Sequence, residues 1–320
     1  MFENPPPELL DLLTRQDEVG KKFRDHIRNY NNALAMTSLG CDQDKNINRD
    51  GGGPYVFKVH GRLYHQSGSL IPNQGRRPIY SQLYIYDPQD ALDYRMNHTA
   101  NSMLDRTTME TLQDMLYRRH PGVQLYKQAF QITRDIPLGQ NCRIALRFDH
   151  DTDRRRYNLP TATSNEIAVI LPGDGDQPSS ALDIILYRQG GGLRQINDLH
   201  PLYQSLHYVL LFPTGQLGWH RHIPYHGVQL PQEGNQRRNE EVKLYVTCGE
   251  YFKYHLHPHH NQFNHIFMAG KLFQEFIVEY WATTEQSHLD FIKNHQAEIR
   301  SHTYQGLSFL LHHFPEAQEI

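Results

Sequence analysis

Histidine is the residue type in this sequence that could most readily do chemistry. The chain has 21 histidines among 320 residues, and His257-Pro258-His259 has the spacing of a metal-binding pair. On a β-strand this spacing points both imidazoles to one face, where their nitrogens can bind a divalent cation. Proline is rare within central strands, and the segment also resembles a connection between two helices. A solvated loop is therefore the default interpretation, and a metal site at His257 and His259 is the alternative.

A second histidine group lies in the run GWHRHIPYHG. Its members are His220, His222 and His226. The spacing is again compatible with a metal, but nothing nearby completes a ligand set, which favours surface or hydrogen-bonded histidines.

A third pattern begins like a calcium loop with Asp149, Asp151 and Asp153. Arg154 stands where that loop needs glycine and Pro160 where it needs glutamate, so the calcium loop is excluded.

The motifs of common enzyme sites are absent from the sequence. There is no GxxxxGK[ST], GxSxG, HExxH or CxxC pattern, so we expect no cofactor and no catalytic residue within this chain. The three cysteines, Cys41, Cys142 and Cys248, lie far apart, which fits a reducing compartment without structural zinc. The beginning of the chain is polar and proline-rich, unlike a signal peptide, and no apolar run is long enough for a membrane span.

The overall charge does not indicate a nucleic-acid partner, because Lys+Arg is 32 against Asp+Glu 35 and the net charge is -3. Groups of basic residues could nevertheless contact phosphates. Arginine doublets occur at Arg76-Arg77 and Arg118-Arg119. Our candidate nucleic-acid contacts are Arg154, Arg155, Arg156, Arg237, Arg238, Lys271 and Lys293. Plain solvated surface is the alternative for each of them.

Hydrophobic periodicity predicts an α+β fold with a helical N-terminal arm, a mixed, mainly antiparallel, β-rich middle and a helical C-terminal region. We place the boundaries at residues 1–45, 54–231 and 241–320. Helices are expected at 18–35, 88–96, 107–119, 123–134 and 242–256. Strands are expected at 55–61 and 62–68, joined by a hairpin at Gly61-Arg62, and at 81–87, 142–148, 166–173, 181–188 and 207–213.

The most helix-like stretch covers residues 264–299 and is free of proline. Asn264 can cap its start. Its apolar residues follow helical spacing and predict one buried face. They are Ile266, Phe267, Phe273, Phe276, Ile277, Tyr280, Trp281, Phe291, Ile292 and Ile299. The polar run at 283–288 interrupts this face. The stretch is therefore either one long helix whose middle is exposed to solvent or two helices that meet near Ser287.

Several runs of the sequence resemble the N-terminal helicase-like region of Helitron-type rolling-circle transposases. HPLYQSLHYVLLFPTGQLGWH (residues 200–220) is one, and the stretch that begins NHIFMAGKLFQEF at Asn264 is another. In the latter the matching residues are Gly270, Lys271, Leu272, Phe273, Gln274, Glu285, Gln286, Leu289, Phe291, Ile292, Lys293, Asn294 and Gln296. Runs at 27–40, 56–72, 82–87 and 155–174 also look like that family, so the resemblance covers roughly residues 5–307.

The resemblance implies an intracellular, nuclear protein of DNA transposition that is not secreted and does not act at a membrane. Full-length members join a replication-initiator endonuclease to an ATP-driven helicase. The metal-binding histidines, nucleophilic tyrosines and Walker motif of relatives lie beyond the point where this chain ends, so we expect a truncated, non-catalytic portion. Its expected partners are single-stranded DNA, a second copy, or a full-length transposase. A non-functional gene fragment and a metal-dependent nuclease that uses the histidine clusters are the alternatives.

Overall fold

A computed structural model describes residues 4–44, 46–49, 55–134, 143–149, 166–172, 184–190, 193–196, 200–220, 223–227, 244–260 and 263–296. The fold class is α+β, as predicted, with helices at both ends of the described part of the chain and two three-stranded sheets between them. The proposed boundaries at 1–45, 54–231 and 241–320 stay a prediction.

Two helices form the N-terminal arm. α1 (Pro7–Thr14) begins with prolines, whose fixed φ suits a first turn. α2 (Glu18–Leu34) begins at Asp17, whose carboxylate accepts a hydrogen bond from Gly20 N at 3.1 Å. One face of α2 is buried, and its largest members are Phe23, Ile27, Tyr30 and Leu34. The predicted helix at 18–35 is confirmed.

The first sheet contains a strand that the sequence did not predict. β1 (Ser38–Gln43) pairs antiparallel with β2 (Val59–Ser67), which pairs with the short β6 (Arg194–Gln195). The predicted hairpin at Gly61-Arg62 is wrong, because β2 runs through this junction without a turn. Gly61 has a φ of 73°, and the pairing shifts register between Gly40 and Asp42 on the opposite strand. The glycine therefore marks an irregularity within one strand.

Residues 80–133 are almost entirely helical. A 3-10 helix (Tyr80–Ile85) replaces the strand predicted at 81–87, and α3 (Pro88–Met96) follows as predicted. Tyr80 has a φ of 52°, outside the conformation of a strand, and Ser81 to Tyr84 are all buried instead of alternating. A short 3-10 turn (Thr99–Asn101) then leads to α4 (Arg106–Arg119) and α5 (Pro121–Thr133).

The cap of α4 lies just before the predicted start of this helix at residue 107. It is Asp105, whose carboxylate accepts from Thr108 N at 2.7 Å. The next cap is a histidine, because His120 accepts from Gly122 N at the start of α5.

The second sheet has the strand order β4-β3-β5 and mixed pairing. β3 (Arg143–Asp149) pairs parallel with β4 (Glu166–Pro172) and antiparallel with β5 (Ile184–Tyr187). The strand predicted at 207–213 is wrong: α6 (Tyr203–His207) ends there. Phe212 N donates to Tyr208 O at 2.9 Å, a helical i to i+4 bond, and the residues from Tyr208 to Phe212 are all buried.

The C-terminal region contains α7 (Cys248–His255), a 3-10 helix (His265–Met268) and the long α8 (Gly270–Asn294). Asn264 caps the 3-10 helix and not α8, since its Oδ1 accepts from Ile266 N. α8 continues through Ser287, which answers the question of one helix or two. Its predicted buried face is only half right: Ile266, Phe276 and Tyr280 are buried. Phe267, Trp281, Phe291 and Ile292 are exposed, and Ile299 lies outside the described residues.

One hydrophobic core connects the beginning and the end of the chain. It contains Leu9 and Leu13 of α1, Phe23 and Ile27 of α2, and Phe276 of α8. Side chains from α4, α5, α6, α7 and β5 complete it. In the part of the chain that the structure describes, no helix is long and apolar enough to cross a membrane.

Candidate nucleic-acid interface

The stretch between Glu250 and Glu275 has an unusual charge pattern. No aspartate or glutamate occurs in residues 251–274, whereas Lys253, Lys271 and several histidines do. The histidines are His255, His257, His259, His260 and His265. We call residues 251–274 the histidine-rich stretch. It contains most of α7, the connection to the 3-10 helix, and the first turn of α8. Without acidic residues of its own, this stretch presents only neutral or positive side chains to a polyanion.

Apolar and hydrogen-bonded residues attach the histidine-rich stretch to the core. Phe252 and Ile266 are buried, and the Phe252 ring lies 4.3 Å from the ring of Tyr280 on α8. The Asn264 amide donates to His255 O at 3.0 Å, and His265 Nε2 donates to Leu211 O at 2.9 Å. The backbone that carries the exposed side chains is therefore fixed at several points.

Three aromatic side chains of this stretch face solvent. Tyr254 is 47% exposed, Phe263 37% and Phe267 36%. The Tyr254 ring lies 4.4 Å from the imidazole of His259, so part of its surface is already paired with a second planar ring. Exposed planar side chains are the usual platform on which unpaired bases stack.

The positive charges available here are those at the surface. Burial lowers the pKa of His255 to about 4 and also lowers the pKa of His265, so both imidazoles are neutral near pH 7. Lys253 and Lys271 are exposed, and Lys271 Nζ lies 5.5 Å from the ring centroid of Tyr55. That distance is typical of a cation–π contact.

The structure places two of the predicted nucleic-acid contacts and leaves the others outside the described residues. Lys271 and Lys293 are both exposed on α8. They lie near opposite ends of this helix, about 33 Å apart at 1.5 Å per residue, so they do not form one cluster. The predicted contacts outside the described residues are Arg154, Arg155, Arg156, Arg237 and Arg238.

The histidine pair considered for a metal lies in the connection after α7. The rings of His257 and His259 are 5.7 Å apart, but one nitrogen of each contacts a backbone carbonyl. His257 Nδ1 lies 2.7 Å from Pro258 O, and His259 Nε2 lies 2.8 Å from Tyr254 O. Within the described ranges, no group of three or more His, Cys, Asp or Glu side chains has the geometry to hold a metal ion. His222 of the second histidine group lies outside those ranges.

A polar network lies in the core beneath the histidine-rich stretch. Glu275 and Glu279 are one turn apart on α8 and are almost fully buried. Glu275 accepts a hydrogen bond from Arg28 Nε of α2, and His207 Nε2 lies 3.5 Å from its other oxygen. Burial acts to raise the pKa of Glu275, but the His207 and Arg28 side chains outweigh it and hold this pKa below its usual value. This carboxylate thus stays charged and links α2 to α8.

The second carboxylate contacts a histidine. His65 Nδ1 lies 2.9 Å from Tyr203 O, and His65 Nε2 lies 3.0 Å from Glu279 Oε2. Burial lowers the pKa of His65, although the Glu279 carboxylate beside it acts in the opposite direction. The hydroxyl of Tyr208 also donates to this carboxylate.

No sequence motif pointed to Tyr254, Phe263 or the buried pair Glu275 and Glu279. The run of 24 residues without an acidic side chain, from 251 to 274, is visible in the sequence alone and could have identified the histidine-rich stretch. The buried carboxylates had no such signal, because a glutamate on a helix is normally exposed.

Comparison with known proteins finds one related family. Residues 251–319 match the family model described as the Helitron helicase-like domain at the N-terminus. The match confirms the resemblance for this segment, whereas the resemblance of the upstream runs stays a prediction. No curated protein matches the chain. The histidine-rich stretch and α8 thus fall within the matched residues, and residues 251–319 are similar to the Helitron helicase-like domain.

Proposed function

We propose that this chain binds single-stranded DNA through the histidine-rich stretch, as part of a Helitron transposase-related protein that acts in the nucleus in DNA transposition. One observation carries the proposal. In the segment that matches the Helitron family, exposed aromatic rings and lysines lie together in residues 251–274, which contain no acidic residue.

Single strands fit this surface better than duplexes. Unpaired bases stack on exposed aromatic side chains, at about 1–3 kcal/mol per base as measured by alanine substitution. In a duplex the bases are already stacked on one another and offer the protein mainly phosphates and groove edges. Tyr254, Phe263 and Phe267 therefore supply base contacts, while Lys253 and Lys271 supply charge for the phosphates.

The test replaces aromatic rings in the full chain. Tyr254→Ala and Phe267→Ala should each weaken binding of a fluorescein-labelled oligothymidylate about 10-fold, in line with the loss of one stacked base. Fluorescence anisotropy at constant salt measures the affinity. Because both side chains are partly exposed, their removal should leave the cooperative melt close to that of the wild-type chain.

A matched control comes from another helix. Tyr94 on α3 is 39% exposed and lies outside the histidine-rich stretch, so Tyr94→Ala should bind the oligonucleotide like the wild type. Equal losses for Tyr94→Ala and Tyr254→Ala would indicate a non-specific effect. Undiminished binding by both Tyr254→Ala and Phe267→Ala would contradict the proposed interface.

We propose a second function, self-association, for the other half of α8. Four large apolar side chains are exposed there: Trp281 57%, Leu289 58%, Phe291 55% and Ile292 44%. Two copies of this helix packed antiparallel about a two-fold axis at Leu289 would place Glu285 of each copy opposite Lys293 of the other. Such self-complementary pairing is what a symmetric dimer interface requires.

Sedimentation velocity over a range of concentrations tests this pairing. Leu289→Asp should abolish the dimer, because two like charges would meet at the axis. Met103 is also exposed but lies far along the chain from α8, so Met103→Asp should have no effect. A chain that stays monomeric at all concentrations, or a dimer that survives Leu289→Asp, would contradict this second function.

A further inference from the structure

A second positively charged surface lies far from the histidine-rich stretch in the sequence. It is an open cleft of about 560 Å³ between the end of β2, the turn at 73–76, the 3-10 helix at Tyr80–Ile85 and the connection from β5 to β6. Arg76 and Arg77 line one side of it, and Gly68, Gly190 and Leu193 line the other. None of the described residues that line this cleft is acidic.

The two arginines differ from Arg15, Arg106 and Arg118, each of which forms an ion pair with a carboxylate. Among the described residues, neither Arg76 nor Arg77 has a side-chain hydrogen bond or ion pair. Two adjacent guanidinium groups without carboxylates concentrate charge and offer planar donors that match phosphate oxygens.

Arg188 fixes one edge of the cleft. Its carbonyl accepts a hydrogen bond from Ile71 N at 2.9 Å, directly beside the cleft residue Pro72, and its Nη2 donates to Arg134 O at 3.0 Å.

The walls of the cleft are fixed to each other by side-chain amides. Gln82 Nε2 donates to Ser69 O at 2.9 Å, and Gln82 Oε1 accepts from Ile79 N at 3.0 Å. On the opposite wall, Gln189 Nε2 donates to Pro72 O at 3.0 Å. The turn that carries Arg76 is closed by its own backbone bond, from Arg76 N to Asn73 O. The shape of the cleft is therefore set before any ligand enters.

We propose that this cleft binds a phosphate group of the DNA backbone through Arg76 and Arg77. The inference deepens the proposed function and rests on it: bases stack on the histidine-rich stretch, and a more distant phosphate of the same strand is held by the two arginines. The ligand is a phosphodiester in a single strand, and the contact carries no information about base sequence.

The experiment compares two arginine doublets in the full chain. Arg76→Ala combined with Arg77→Ala should weaken binding of a labelled 30-nucleotide oligothymidylate about 10-fold. It should also flatten the plot of log affinity against log salt by about 0.7, because one lost phosphate contact with a single strand accounts for about 0.7. Arg118→Ala combined with Arg119→Ala removes the same charge at the end of α4 and should leave the salt slope unchanged. Arg76→Lys with Arg77→Lys should restore much of the slope.

The outcomes separate this inference from the proposed function. If the wild-type chain binds the oligonucleotide and the Arg76/Arg77 variant binds equally well, the cleft is not a phosphate site although the proposed function stands. If the wild-type chain does not bind the oligonucleotide, the proposed function itself is wrong. A calorimetric titration with inorganic phosphate distinguishes the source of the phosphate. Submillimolar binding that the double variant loses, with DNA affinity unchanged, would overturn the DNA contact in favour of a free phosphate ligand.

Discussion

At the scale of single residues, the hydrogen-bond partners of each buried histidine decide its charge. His120 Nδ1 accepts from Gly122 N at 3.1 Å, and His200 Nδ1 accepts from Leu202 N at 3.1 Å. A proton on either nitrogen would break that bond, so both imidazoles are held neutral. His65 differs from these two, because its nitrogens face the oxygens of Tyr203 and Glu279. Burial lowers its pKa, and the Glu279 carboxylate acts to raise it.

Stability should therefore fall as the pH falls below about 6.5. Burial lowers the pKa of His120 to about 4 and that of His200 to about 3, whereas in the unfolded chain both stay near 6.5. Below pH 6.5 the unfolded chain takes up protons that the folded chain does not. The free energy of unfolding should then drop by about 1.4 kcal/mol per pH unit for each of these histidines, down to about pH 4. Urea unfolding at pH 7.5, 6.5 and 5.5 measures this slope.

A single variant tests the origin of this pH dependence. His200→Asn keeps a side-chain acceptor for Leu202 N but removes the titrating group. Its unfolding free energy should depend less steeply on pH, by about one proton. An unchanged slope would mean that His200 is not one of the groups responsible.

The sequence revealed only part of the residue-scale picture. The exposure of Lys271 and Lys293 follows from their polarity, and the absence of acid from residues 251–274 can be read directly. Which of the 21 histidines are neutral could not be predicted, because the answer depends on carbonyls and N–H groups such as Tyr203 O and Leu202 N that are set by the fold. The burial of Glu275 and Glu279 also contradicts the usual preference of glutamate for solvent.

At the scale of elements, the start of α8 depends on one glycine. Gly270 has a φ of 50°, a left-handed conformation that costs other residues roughly 1–2 kcal/mol. It lies between the 3-10 helix (His265–Met268) and the regular part of α8 and allows the chain to change direction there. The helical spacing of apolar residues in 264–299 predicted a helix there, but such spacing carries no information about the φ value of Gly270.

Gly270→Ala should therefore destabilise the chain by about 1–2 kcal/mol, measured by urea unfolding. Gly249 in α7 is the matched control: a Cβ atom added there would meet no other atom within 4 Å, and its φ is ordinary. Gly249→Ala should be neutral or stabilising by up to about 1 kcal/mol, because alanine favours a helix. Equal effects of the two substitutions would argue against the left-handed turn at Gly270.

The contact between α2 and α8 gives a second element-scale prediction. Glu275→Ala should cost about 3–5 kcal/mol, because it leaves the half-buried Arg28 guanidinium without its carboxylate. The double change Arg28→Met with Glu275→Leu should cost much less, since neither charge then remains in the core. Thermal unfolding of Arg28→Met, Glu275→Leu and the double variant measures the coupling. Additive losses in the double variant would show that Arg28 and Glu275 act independently.

The sequence predicted whether an element is a helix or a strand where it contains a clear capping residue or a clear periodic pattern of apolar residues. α2, α3, α5 and the strands β3 and β4 lie within a few residues of their predicted ranges. The strands predicted at 81–87 and 207–213 failed for one reason. Both runs are rich in β-formers such as Tyr84 and Val209, but residues 81–84 and 207–213 are all buried, so tertiary packing and not local preference sets their conformation.

At the scale of the whole molecule, contacts between distant parts of the chain hold the matched segment in place. Arg28 and Glu275 are 247 residues apart in the sequence, and His65 and Glu279 are 214 apart. No local pattern predicts such pairs. The Helitron-like segment at 251–319 therefore folds, as far as the structure describes it, on a base made of the N-terminal helices and the first sheet.

The most direct test of the proposed interface compares single-stranded and double-stranded DNA of the same sequence, bound to the wild-type chain, at salt concentrations from about 50 to 200 mM. We expect saturable binding that is tighter for the single strand and that weakens steeply as salt increases. No saturable binding at the lowest salt concentration, or an affinity for duplex equal to that for the single strand, would contradict it.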